Sequence, residues 1–151
     1  MTYISRFLCA ALLLGLSAIA CADQLLMIRS SLPFPEAMLA LQNAITTRGY
    51  KVTRVQNVDQ GLSKTGYQTD NYKVVFYGKP EEVAQIAAKH PELIPYLPLN
   101  MAIFAEQNST ILVTSHPGEL ANFFPNPELS AMFMRWEKDL NEIVNEVHEA
   151  K

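Results

Sequence analysis

Eight apolar side chains near the C-terminus, Leu129, Met132, Phe133, Trp136, Leu140, Ile143, Val144 and Val147, recur at three- and four-residue steps. That spacing gathers them into one stripe along a single long helix. Asn126 precedes the stripe as a cap, and Pro127 takes the first helical position, where a missing N–H costs nothing. Most helical stability in proteins comes from packing an amphipathic face, so this helix must cover an apolar surface made by the rest of the chain. The preceding residues therefore have to build that surface.

They read as strands interrupted by helices. Gln24 to Arg29 is short and apolar enough for a first strand. Pro33 and Pro35 can open a helix whose Met38, Leu41, Ala44 and Ile45 share one face, with Gly49 placed for a left-handed C-terminal cap. Tyr50 to Val55 alternates as a second strand, and the polar run from Asn57 to Asn71, with Gly61 and Gly66, reads as a long loop or a wide hairpin connection. Tyr72 to Tyr77 has the β-branched and aromatic content of a buried strand and ends at Gly78. Pro80, Glu81 and Glu82 then suit a helix start, with Val83, Ile86 and Ala87 as its apolar stripe. Met101 to Ala105 and Thr110 to Ser115 form an antiparallel pair across Glu106-Gln107-Asn108-Ser109. Strand, helix, strand, strand, helix, strand, strand, helix is not a regular βαβ alternation. It predicts an α+β domain, an antiparallel sheet covered by helices mainly on one face.

The first 22 residues, MTYISRFLCAALLLGLSAIACA, stand apart from this pattern. Arg6 precedes an apolar run from Phe7 to Ala20, and Ala20-Cys21-Ala22 puts small side chains before Asp23, the layout of a bacterial secretory leader. The run is short of the roughly 20 apolar residues that span a bilayer as a helix. Cleavage between Ala22 and Asp23 predicts a periplasmic domain of residues 23–151; the alternative, lipidation of Cys21, predicts a lipoprotein tethered to an envelope membrane. Both cysteines, Cys9 and Cys21, fall in the leader, so the mature soluble form has no thiol for a disulfide or a metal. Losing Arg6 and no acid turns 12 basic residues into 11 against 15 acidic ones, and the net charge of −3 into −4. That mildly acidic balance gives no reason to expect a nucleic-acid partner.

Val74-Val75-Phe76-Tyr77-Gly78-Lys79-Pro80, then Leu97-Pro98-Leu99-Asn100-Met101-Ala102-Ile103-Phe104 and the stretch Gln107 to Pro117, resemble the bacterial family named domain of unknown function 302. The likeness runs over Leu25 to Leu120 and implies a small α+β fold similar to the TATA-box-binding-protein type, with a curved antiparallel sheet against helices. It implies no activity. Family members commonly carry an Asp-His pair upstream and a Gly-Thr-Pro stretch downstream, where this chain has Lys64-Thr65-Gly66, Thr69-Asp70-Asn71 and Glu81-Glu82-Val83.

Recognised catalytic and metal-binding motifs are sparse. Lys64-Thr65-Gly66 and Thr69-Asp70-Asn71 are reminiscent of penicillin-binding boxes, but no serine after residue 22 is followed three residues later by lysine. Ser63 lacks the final glycine of a nucleophile elbow. His90, His116 and His148 have no partner at a recognised zinc spacing; His90 and His116 each precede proline and read as element ends, and His148 falls in the last helical turn. Met132 and Met134, two apart on a helix, point to different sides, with Met132 in the core stripe. Neither a metal nor another cofactor is expected.

The densest aromatic grouping is Phe123, Phe124, Phe133 and Trp136, with Phe76, Ile103 and Phe104 of the sheet as candidates to face it. The expectation is an exported, non-enzymatic domain that binds a small apolar molecule or an envelope protein in a groove between sheet and C-terminal helix. A hydrolase with an unrecognised site, with Ser63 or His116 as polar candidates, is the alternative.

Overall fold

The computed structural model describes residues 25–151. The leader-like first 22 residues, with Cys21 and the expected Ala22-Asp23 cleavage position, lie outside the described residues, as does Gln24. The chain runs β1 (Leu25–Ser30), α1 (Phe34–Thr47), β2 (Lys51–Asn57), α2 (Val58–Ser63) and β3 (Tyr72–Gly78). It continues through α3 (Pro80–Lys89), a 3-10 helix (Pro91–Tyr96), β4 (Leu99–Glu106) and β5 (Ser109–Ser115). A 3-10 turn (Pro117–Glu119), α4 (Leu120–Phe123) and α5 (Pro127–Glu149) complete it. The five strands form one antiparallel sheet in the order β1-β5-β4-β3-β2, with helices packed against it.

Register sorts the strand residues onto two faces, because directly paired residues point the same way. Leu26 and Ile28 of β1, Leu112 of β5, Met101 and Ile103 of β4, and Val75 and Tyr77 of β3 share the face that joins the core. The opposite face carries Met27 and Val113, Ala102 and Val74, Phe104 and Tyr72, and Phe76 with Arg54. Tyr72 stacks on Phe104 at 5.1 Å, and the Arg54 guanidinium lies 5.6 Å from the Phe76 ring centroid.

The C-terminal stripe does what its spacing demands. Leu129, Phe133, Trp136, Leu140, Ile143, Val144 and Val147 are buried under α5, and the Asn126 side chain accepts from the N–H groups of Glu128 and Leu129. Polar ties fix the angle of this helix. Ser30 Oγ donates to the Val147 carbonyl at 3.0 Å, Arg48 pairs with Glu146 at 2.6 Å, and Arg135 pairs with Glu82 of α3. At the end of α1, Gly49 has φ +76°, with its N–H on the Thr46 carbonyl and the Tyr50 N–H on the Ile45 carbonyl. Those two bonds are the Schellman arrangement, which favours glycine because it needs a left-handed residue.

Besides the short helical turns at Pro91–Tyr96, Pro117–Glu119 and Leu120–Phe123, the segment after β2 departs from the sequence reading. Asn57 closes β2, and Val58–Ser63 is a helix rather than loop. Val58 and Leu62, four residues apart, are half-buried, and Asp59 reaches Lys73 of β3 at 2.9 Å. Gly61 and the polar composition conceal this turn in the sequence, because its anchor is a partner 14 residues away.

Candidate functional site

Antiparallel order brings the ends of β3 and β5 and the start of β4 to the same end of the sheet, which forms one rim of it. Tyr77 there pairs with Leu99, and Thr114 Oγ1 donates to the Asn100 carbonyl at 2.7 Å. Two proline-bearing segments roof this rim: Pro95-Tyr96 on one side, and His116 through Phe123 on the other. Between them lies a cavity of about 510 Å³. Tyr77, Tyr96, Leu99, Leu120 and Phe123 give it apolar walls, and Asn100, Ser115, His116, Glu119 and Asn122 supply polar groups. Size and lining are those of a small-molecule pocket.

His116 is the oriented polar group of this cavity. Its Nδ1 lies 2.7 Å from Glu137 Oε1, while Glu137 Oε2 accepts from the Gly118 N–H at 3.1 Å and Oε1 from Asn141 Nδ2 at 3.1 Å. Burial pushes the Glu137 carboxyl up, but the hydrogen bonds from His116 and the Gly118 N–H outweigh it and hold the group below its ordinary value. An ionised carboxylate only accepts, so Nδ1 carries a proton. In the neutral ring Nε2 is then a lone-pair acceptor, available to a ligand or a transferring proton.

Tyr77 is 1 % exposed. Burial raises its phenol far above the ordinary tyrosine value, and the nearby charges of Asp139 and Glu137 add to this. The hydroxyl stays protonated and is a donor. Behind it, Tyr50 meets the Tyr77 ring edge-on at 5.7 Å and donates to Asp139 at 2.6 Å.

The sequence-derived candidates separate. Of the three histidines, His116 lines the cavity; His90 pairs with Glu92 at 3.1 Å, and His148 Nδ1 lies 2.7 Å from the Arg29 carbonyl. Among the described residues no group of three or more His, Cys, Asp or Glu side chains is placed to hold a metal ion. Ser63 donates to the Gln60 carbonyl in α2, in the exposed stretch that also holds Lys64-Thr65-Gly66. Met132 packs against the core and Met134 is exposed, as the helical spacing requires.

The aromatic grouping is only partly as expected. Tyr96, Phe124, Phe133 and Trp136 form a chain of ring contacts 5.7 to 6.3 Å apart, but Phe133 and Trp136 are buried core. Phe76 and Phe104 lie on the far face of the sheet and cannot meet them. Core side chains therefore fill the expected groove between sheet and α5, and the open space sits at the end of the sheet, reached by Phe123 alone of that grouping. Tyr77 and Glu137 are the site residues the sequence did not single out.

The fold matches the "Crystal structure of uncharacterized conserved protein DUF302 from Bacillus stearothermophilus" with a TM-score of 0.74 at 18% identity, covering 83% of this chain and 99% of that one. No curated protein matches the chain. The family model described as Domain of unknown function DUF302 matches residues 26–147, a span holding that end of the sheet, the cavity and the His116–Glu137 pair. By that match, and by the motifs and fold that agree with it, the chain belongs to the DUF302 family.

Proposed function

We propose that this chain is an exported, non-catalytic domain whose cavity beside His116 binds a small, largely apolar molecule. The observation that carries the reading is the cavity itself: about 510 Å³ between aromatic walls, with one histidine held in a fixed orientation by Glu137. The leader-like first 22 residues support export to the periplasm, with maturation at Asp23; lipidation of Cys21 is the competing fate. Kinship to the TATA-box-binding-protein type of fold belongs to the same reading. An antiparallel sheet with helices packed against it supports that kinship.

A hydrolase is the second reading, favoured by the His116–Glu137 pair, which resembles the base-and-orienter half of a catalytic constellation. Native mass spectrometry of the protein recovered from its own cell envelope tests both parts of the first reading. The expected result is a mature chain beginning at Asp23 with a co-purifying small-molecule mass, lost on filling the cavity with Leu120→Trp. Turnover of ester, amide or phosphate substrates that disappears in His116→Ala would favour the hydrolase instead.

A further inference from the structure

The Tyr77 hydroxyl takes part in no side-chain hydrogen bond of the described fold, although the residue is 1 % exposed. Among the described residues no fully buried side-chain nitrogen or oxygen lacks a partner, so the small surface that Tyr77 keeps includes this hydroxyl. The open space along Tyr77 is the cavity it shares with His116. A buried ring thus presents one unpaired O–H donor to a cavity that His116 also lines, a side chain that accepts at one ring nitrogen when neutral. Resting on the cavity-binding reading above, we infer that the site selects a neutral, hydroxyl-bearing molecule with an aromatic or aliphatic body, its oxygen accepting from Tyr77 O–H.

Two observations narrow the ligand to that class. A hydroxyl oxygen both accepts and donates, so it can take the Tyr77 O–H and offer its own proton to a neutral His116 ring, whereas a hydrocarbon leaves the Tyr77 donor unpaired when it displaces water. Charge excludes the other common acceptor. Glu119 lines the cavity, Glu137 sits behind His116, and the charges of Glu137 and Asp139 both act on the Tyr77 hydroxyl. A carboxylate brought among these groups is repelled, so an aryl carboxylate is selected against and an aryl alcohol is not.

Calorimetric titration of the mature protein with 2-naphthol, 2-methylnaphthalene and 2-naphthoate reads this directly. In the wild type 2-naphthol is expected to bind tightest and 2-naphthoate weakest. Tyr77→Phe keeps the ring and loses only the hydroxyl, so 2-naphthol should weaken about five- to tenfold, the size of one hydrogen bond. Binding of 2-methylnaphthalene should not weaken, since the donor that it leaves unpaired is gone, and the urea midpoint should stay at the wild-type level, since the hydroxyl holds nothing inside the fold. Equal affinity of 2-naphthol and 2-methylnaphthalene for the wild type overturns the inference while leaving the cavity as a binding site. So does 2-naphthol binding that Tyr77→Phe leaves unchanged, or 2-naphthoate binding tightest. Failure of all three to bind overturns the cavity reading together with the inference.

Discussion

His116 Nδ1 and Glu137 Oε1 lie 2.7 Å apart, joining the exit of β5 to the middle of α5 across 21 residues. The same carboxylate accepts from the Gly118 N–H at 3.1 Å, so one side chain holds both the histidine and the backbone turn that roofs the cavity. Glu137→Gln keeps the shape and removes the charge. A loss of roughly 1–3 kcal/mol is expected, the cost of weakening charge-assisted bonds at a half-buried acceptor. Urea unfolding at neutral pH measures it.

Acid titration of the same pair has a definite sign. Glu137 is held below its ordinary value of 4.5 in the fold, while the unfolded chain keeps that value. The unfolded state therefore binds protons first, and the stability this group contributes is full above 4.5 and drains away as pH falls through the lower folded value. Asp59, lowered chiefly by its Lys73 hydrogen bond, drains in the same direction. The wild type should lose stability below pH 4.5 more steeply than Glu137→Gln, with a residual slope that Asp59→Asn reduces further. Identical acid limbs in the three proteins would contradict this.

Adjacent positions in α5 should differ sharply. Phe133 is fully buried between Phe124 and Trp136, and Phe133→Ala should cost roughly 3–5 kcal/mol. Met134 is 58 % exposed, so Met134→Ala should change stability by no more than about 0.5 kcal/mol. Chemical denaturation of the two variants side by side checks the facing of the helix.

Two serines make a parallel contrast. Ser30 is fully buried, donates to the Val147 carbonyl and accepts from the Leu32 N–H at 3.3 Å. Ser30→Ala leaves those two backbone groups short of a partner and should cost about 1–3 kcal/mol. Ser63 is exposed in α2 with its hydroxyl on the Gln60 carbonyl, and Ser63→Ala should fall within about 0.5 kcal/mol and leave ligand binding unchanged.

Local signals carried the elements, and distance hid the site. The α5 stripe and its Asn126 cap, the β4–β5 hairpin and the Gly49 cap are all written within a few residues of themselves, so spacing alone revealed them. The hairpin turns through Gln107-Asn108, inside the expected four residues, with Gln107 at φ +54°. Facing in β3 was not legible. Val74-Val75-Phe76-Tyr77 is apolar at every position, so a period of two gives no sign of which side meets the core. That ambiguity makes Phe76 as good a candidate for the covered face as Tyr77. The cavity was hidden for another reason: it needs Tyr77, Leu99 and His116 at one end of the sheet, and only strand order puts them there.

An NMR titration of isotope-labelled protein with 2-naphthol, following backbone amide and aromatic ring signals, locates the binding site most directly. The expected result is saturable shifts confined to Tyr77, Tyr96, Leu99, His116, Leu120 and Phe123 around the cavity. Shifts centred instead on Met27, Phe76 and Phe104 of the opposite sheet face, or no shifts at saturating probe, would contradict it.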